Sequence, residues 1–120
     1  MIVALVDASN VRRSTWPNIP AEELPALVGR WAEGEGVQAV LVFDGPAPEV
    51  GEVGPVELVS TGGESADDEI ARRASELRAR PEARFWLVTS DRGLRARAAD
   101  GAERTIGGGT LARALLALRS

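Results

Sequence analysis

The sequence predicts an α/β fold, a three-layer α/β/α sandwich around a central parallel sheet of about five strands. Short apolar runs rich in Val, Leu and Phe alternate with segments of helical spacing along the whole chain, as buried parallel strands and their crossover helices do. Three of the runs also stop on an aspartate: Ile2 to Val6 at Asp7, Ala39 to Phe43 at Asp44, and Phe85 to Thr89, through Ser90, at Asp91. In a parallel sheet all three carboxylates leave one edge, the carboxyl edge where open α/β sheets bind ligands. The chain has six aspartates, and half of them stand there, so the pattern marks an acidic site as well as a fold.

Each element follows from local chemistry. After the first strand, Asp7 to Trp16 is a polar segment, punctuated by Pro17-Asn18-Ile19-Pro20. A helix begins near Pro20 or Ala21, because proline suits a first turn and Glu22-Glu23 suit the positive end of the helix dipole. Leu24, Leu27, Val28 and Trp31 form its apolar stripe, and Gly34 or Gly36 ends it. The second strand, Ala39 to Phe43, leads into GPAPEVGEVGP, residues 45–55, a loop too rich in Gly and Pro for regular structure and long enough to move. A short third strand, Val56 to Val59, precedes a helix from Ser65 to about Arg80, stopped by Pro81. The fourth strand, Phe85 to Thr89, is followed by a short helix from about Arg92 to Ala99 that ends at Gly101. A fifth strand, Glu103 to Ile106, leads through Gly107-Gly108-Gly109 to a last helix capped by Thr110, with Leu111, Leu115 and Leu118 on one face. Right-handed crossovers with one reversal of winding create a crevice above the first strand and a neighbour.

With 120 residues, 44% of them hydrophobic, the chain is expected to form one domain, 1–120, around one core. No apolar stretch approaches a membrane span, and Met1 enters a strand with no basic leader, so a cytoplasmic location with no membrane partner is expected. There is no Cys, His, Lys or Tyr, which excludes thiol nucleophiles, disulfides, imidazole bases, Ser-His triads, lysine Schiff bases and Cys/His zinc sites. Any metal must be held by oxygen, which favours Mg²⁺ or Mn²⁺. The net charge of −4 argues against tight nonspecific nucleic-acid binding. All 14 cations are arginine, however, and Arg12-Arg13, Arg72-Arg73, Arg92, Arg95 and Arg97 follow the acidic segments closely. They either form phosphate-binding patches or belong to solvated helix faces.

Taken singly, each acid has a plain explanation. Asp7 can cap a helical turn after its strand, and Asn10 can orient its carboxylate or a water bound to a metal. Asp44 precedes Gly45-Pro46, strong turn chemistry, and is the weaker strand-end candidate. Ser65 and Asp68 form a capping-box pattern that accounts for Asp68. Asp67 shares a helical face with Ile70, Ala71 and Ala74, the face expected to pack on the sheet; Glu64 lies one turn earlier, and an arginine partner in the core is the alternative. Asp91 and Ser90 both suit the cap of the helix at Arg92, which leaves one free to bind a metal-bound water or a phosphate oxygen. Together the acids need a cation or a shared proton, since two carboxylates about 4 Å apart repel by about 4 kcal/mol at an effective dielectric near ~20. A divalent metal meets that need and, flanked by arginines, suits phosphodiester hydrolysis. Trp16, just after Arg12-Arg13, either stacks on a base or anchors in the core, and the core is favoured because aromatic side chains mostly bury.

VDASN at the first strand, VFD at the second, ESADDEI opening a helix and VTSD at the fourth together resemble the PIN-like nucleases, in particular the NYN branch with the YacP-like ribonucleases. The resemblance spans most of the chain. It implies strand order 3-2-1-4-5 and a Mg²⁺- or Mn²⁺-dependent endoribonuclease acting on RNA, single-stranded in the simplest case. By position it makes Asp7, Asp67 and Asp91 the main metal-binding and catalytic acids. Asp44 and Glu64 support the metal, and Asn10 and Ser90 orient groups around it; Arg12, Arg13 and Arg92 are expected to meet substrate because guanidinium forks beside the acids match phosphate oxygens. Ala8-Ser9 stands where the family has a small-aromatic pair, which bears on substrate choice. A homo-oligomer is compatible with the sequence. A receiver domain would want a lysine, a haloacid-dehalogenase phosphatase an Asp at position 9, which is Ser, and an integrin-type metal motif a Ser at position 11, which is Val. The toxin of a toxin-antitoxin pair and a non-catalytic RNA-binding or scaffold module are the alternatives; retention of all the matched acids argues against the module.

Overall fold

The structure is a computed structural model that describes residues 1–119. Its elements are β1 (Ile2–Asp7), α1 (Ala8–Arg13), α2 (Leu24–Glu35), β2 (Val37–Phe43), β3 (Val56–Ser60), α3 (Ala66–Arg78), β4 (Arg84–Val88), α4 (Arg92–Ala98), β5 (Arg104–Ile106) and α5 (Gly108–Ala117). The strands form one parallel sheet in the order β3-β2-β1-β4-β5, the expected α/β architecture. No helix among the described residues is long and apolar enough to cross a membrane.

Alternation along the central strand builds a core on each face. Ala4 and Val6 join Val11 of α1, Leu24 and Val28 of α2, and Leu111 and Leu115 of α5. Leu5 points the other way, toward Ile70 and Ala74 of α3 and Leu94 and Ala98 of α4. The chain winds from β1 out to β3, then returns to place β4 on the other side of β1. That reversal opens a crevice at the carboxyl ends of β1 and β4, where the connections to α1 and α4 diverge.

Several local expectations are corrected. The polar stretch after Asp7 contains a helix, α1, and Asp7 caps it with extended backbone and a carboxylate that accepts from the Asn10 N–H at 3.4 Å. Helix α2 starts at Leu24, because Pro20 closes a turn onto Glu23 and Leu24, and Pro25 occupies the helical first turn instead. Gly107, not Thr110, precedes the first residue of α5; the Gly108 N–H is satisfied by the Ser90 hydroxyl at 2.8 Å. Trp16 is not in the core but 90% exposed. Two hydrogen bonds between Arg12 and Ile19, backbone N–H to carbonyl at 3.2 Å and guanidinium to carbonyl at 2.8 Å, close the intervening loop. The closure turns Ile19 inward, 1% exposed, and leaves the indole outside. The 45–55 loop is tied at its root, where the buried Thr61 hydroxyl donates to Phe43 O and accepts from the Gly45 N–H, both at 2.9 Å.

Candidate active site

The crevice is a cleft of about 260 Å³ lined by Asp7, Ser9, Asn10, Arg13, Asp44, Ser65, Ala66, Asp67 and Asp91. Asp7 comes from the end of β1, Asp44 from the residue after β2, Asp67 from the first turn of α3 and Asp91 from the N-cap of α4. Four elements far apart in sequence thus present carboxylates to one space because their termini share one edge of a parallel sheet. None of the four forms an ion pair among the described residues.

Asp7 is the most deeply set, 6% exposed. Burial pushes its carboxyl above the ordinary value; hydrogen bonds from the Thr89 hydroxyl and the Asn10 N–H pull it down, and the charges of Asp67 and Asp91 push it up again. Asp67 is also raised, first by burial and then by Asp91, against a lowering contribution from Arg97. Both neighbouring carboxylates are thus held above their ordinary value by burial and by surrounding negative charge. Among the described residues no three acids are placed closely enough to hold a metal ion between them. The donor chemistry, all carboxylate, hydroxyl and amide oxygen, nevertheless fits Mg²⁺ or Mn²⁺.

A hydrogen-bonded frame behind the cleft ties its walls together. The Thr89 hydroxyl donates to Asp7 Oδ2 at 3.0 Å and accepts from the Asp91 N–H at 3.1 Å. Asp91 Oδ1 accepts from the Leu94 N–H at 2.8 Å, which caps α4. Asn10 Oδ1 accepts from the Ser90 N–H at 2.8 Å, and Ser90 Oγ accepts from Gly108. A Cβ on Gly108 would collide with the Asn10 side-chain oxygen, so glycine is required for Asn10 to reach across to Ser90.

Not every expected residue lines the cleft. Asp91 takes the α4 cap, and Ser90, free of the cap, is engaged in the frame instead, through its N–H and its hydroxyl oxygen. Arg12 turns away to bind Ile19 O, while Arg13 lines the cleft. Arg92 is exposed at the start of α4 and is not a lining residue. Glu64 stands outside, 3.9 Å from Arg72 and beside Glu69, whose shared hydrogen bond raises the Glu64 carboxyl. The sheet-facing row of α3 is Ala66, Ile70 and Ala74, which leaves Asp67 half-buried at the cleft border. The buried acid of this helix is Glu69, clasped by Arg72 and by Arg73 Nε at 2.6 Å. The arginine pairing considered for Asp67 therefore occurs at Glu69. Asp68 closes on Arg97 at 2.8 Å, and its carboxyl is held down by that contact and by Ser65.

Composition and spacing mark neither the role of Thr89 against Asp7 nor that of Gly108 against Asn10. Register offers a signal for Thr89: Val6 pairs with Val88, so the following residues, Asp7 and Thr89, are neighbours at the strand ends.

No family model matches the sequence, and no curated protein matches it. Solved structures do. Rae1 (YacP) from Bacillus subtilis aligns with a TM-score of 0.74 at 21% identity, covering 99% of this chain and 76% of that one. Its W164L mutant aligns with a TM-score of 0.73 at 19% identity, covering 99% and 77%. The chain shares the fold of Rae1 (YacP). At this identity the likeness is one of fold, and it extends over nearly every residue of the present chain.

Proposed function

We propose that this chain is a metal-dependent endoribonuclease that hydrolyses RNA phosphodiester bonds. The observation that carries this reading is the gathering of Asp7, Asp44, Asp67 and Asp91, with no ion pair to any of them among the described residues, around one cleft at the switch point of the sheet. The ordered motifs resembling YacP-like ribonucleases and the fold shared with Rae1 (YacP) support it. Asp7, Asp67 and Asp91 would hold Mg²⁺ or Mn²⁺, with Asp44 at the rim. When bound, such an ion supplies positive charge to the phosphoryl oxygens and acidifies a water. Arg13, on the cleft wall, orients a phosphate, and Arg92 meets the strand outside it. Hydrogen bonds from the Thr89 hydroxyl and the Asn10 N–H aim Asp7 and favour its ionised form against burial. With no His, Cys, Lys or Tyr in the chain, proton transfer rests with carboxylates and solvent.

The test is cleavage of single-stranded RNA by purified protein in Mg²⁺ or Mn²⁺, with DNA of the same sequence alongside. Activity is expected on RNA, abolished by EDTA and reduced at least about 100-fold in Asp67→Asn and in Asp91→Asn, the scale of a lost charge-stabilising group. No cleavage of diverse RNAs by the wild type, or undiminished cleavage by both variants, overturns the proposal.

A further inference from the structure

Trp16 is 90% exposed at the tip of a loop that two Arg12–Ile19 hydrogen bonds pin at its base. A large aromatic surface held in water by a closed loop serves no core. Helix α1 leads from Asp7, at the floor, to Arg13, on the wall, a rise of about 9 Å. Trp16 lies three residues further, at most about 11 Å of extended chain. Ser14, between them, packs at the start of α5, where the place a Cβ would take on Gly109 is 3.9 Å from Ser14 Cβ and 3.4 Å from Arg113 Nη1. Arg13 and Arg113 form no ion pair among the described residues. On the α1 side the cleft wall thus carries Arg13, and within reach of it, three residues along the chain and across Ser14, lie an exposed indole and a second guanidinium that forms no ion pair among the described residues.

We infer that this border is a platform for a single strand of RNA leaving the cleft, with a base stacked on Trp16 and flanking phosphates held by Arg13 and Arg113. Two uncommitted cations select a polyanion, and the bare aromatic face selects unpaired bases, which a duplex keeps stacked inside. An acidic peptide would satisfy the arginines but not the indole. The inference names the substrate class of the site proposed above and rests on that reading for the direction of the strand, but not for binding itself.

The experiment is titration of the full chain with a short oligouridylate in EDTA, followed by tryptophan emission. Of the three tryptophans, Trp86 is 6% exposed and Trp31 packs against it with ring centroids 6.2 Å apart, so a stacked base quenches chiefly Trp16. Trp16→Ala is expected to abolish most of the quench and weaken binding at least about fivefold, as for other base-stacking aromatics. Its melting temperature should stay unchanged, because the side chain supports nothing. Arg13→Ala and Arg113→Ala should each flatten the salt dependence of log Kd by about 0.7. Affinity for a blunt RNA duplex should be indifferent to Trp16→Ala. Equal quench and affinity in wild type and Trp16→Ala overturns the platform even if the wild type cleaves RNA. Quenching that depends on Trp16 in a protein that cleaves nothing keeps the platform and removes the nuclease.

Discussion

The Thr89 hydroxyl donates to Asp7 Oδ2 at 3.0 Å, with both side chains buried where β1 and β4 end. This bond lowers a carboxyl that burial raises, so Thr89 favours the charged form of Asp7. Thr89→Val keeps the shape and removes the donor. The Asp7 carboxyl then rises further, and the acid limb of the kcat/KM profile for RNA cleavage should move up by about one pH unit, since hydrogen bonds to charged groups contribute about 1.5–3 kcal/mol. Stability should fall by about 1–2 kcal/mol because the Asp91 N–H loses its acceptor. Thr89→Ser should restore the profile, an outcome that a purely steric role for Thr89 does not give.

Gly108 is the second support of the site. A Cβ there meets the Asn10 oxygen head-on and comes within 3.1 Å of Ser14 Oγ, so Gly108→Ala must separate α5 from α1 and pull Asn10 off the Ser90 N–H. Overpacking of this kind costs about 1–3 kcal/mol. Gly109→Ala, one residue on, meets only the movable Arg113 guanidinium and Ser14 Cβ and should stay within about 0.5 kcal/mol of wild type. Denaturant unfolding of the two variants measures the contrast, and equal stabilities would show that the Asn10 contact is easily surrendered.

The parallel sheet and its strand ends were legible because buried strands write apolar runs, and the chain has little else that is continuously apolar. Asp7, Asp44 and Asp91 could be placed at one edge from those runs alone. What escaped depends on contacts between distant segments. Thr89 matters through a residue 82 positions away, and Ser90 through a glycine of α5. Trp16 was expected inside because aromatic side chains usually bury, and only the Arg12–Ile19 closure decides that Ile19 takes the inward place. On α3 the helical period placed Asp67 near the sheet but could not separate the face's centre from its border. It passed over Glu69, whose burial is tolerated because two arginines of the next turn reach back to it.

Glu69 accordingly controls acid stability. Arg73 and Arg72 pull its carboxyl down to about 2, with Arg73 the larger contributor, from an ordinary 4.5. A depressed carboxyl contributes stability that is present above pH 4.5 and is lost as pH falls through about 2. Because Arg72 is half exposed, solvent screening trims the effect. Glu69→Gln should destabilise by about 1–2 kcal/mol at pH 7 and make thermal stability flatter across that acid window. A variant with the wild-type acid transition would mean that the arginine clasp contributes nothing.

Asp67 carries the opposite sign. Its carboxyl is raised above the ordinary 3.8 by burial and by Asp91, so its contribution to stability is full below pH 3.8 and is lost as pH rises through the raised value. At pH 7 the ionised group opposes folding, and Asp67→Asn should stabilise the metal-free protein by up to about 1 kcal/mol, a gain typical of sites where function is kept at the expense of stability. The gain should vanish in acid, where the wild-type carboxyl is itself neutral. Saturating Mn²⁺ should reverse the order: a ligand held only by the folded chain stabilises it by about 2.7 kcal/mol at 100 times its Kd, and a variant lacking one carboxylate gains less. Thermal melts of both proteins with EDTA and with Mn²⁺ give all four values. If Asp67→Asn loses stability in EDTA at pH 7, the strain assigned to the cleft carboxylates is absent; if Mn²⁺ raises both melting temperatures equally, Asp67 is not among the groups that hold the ion.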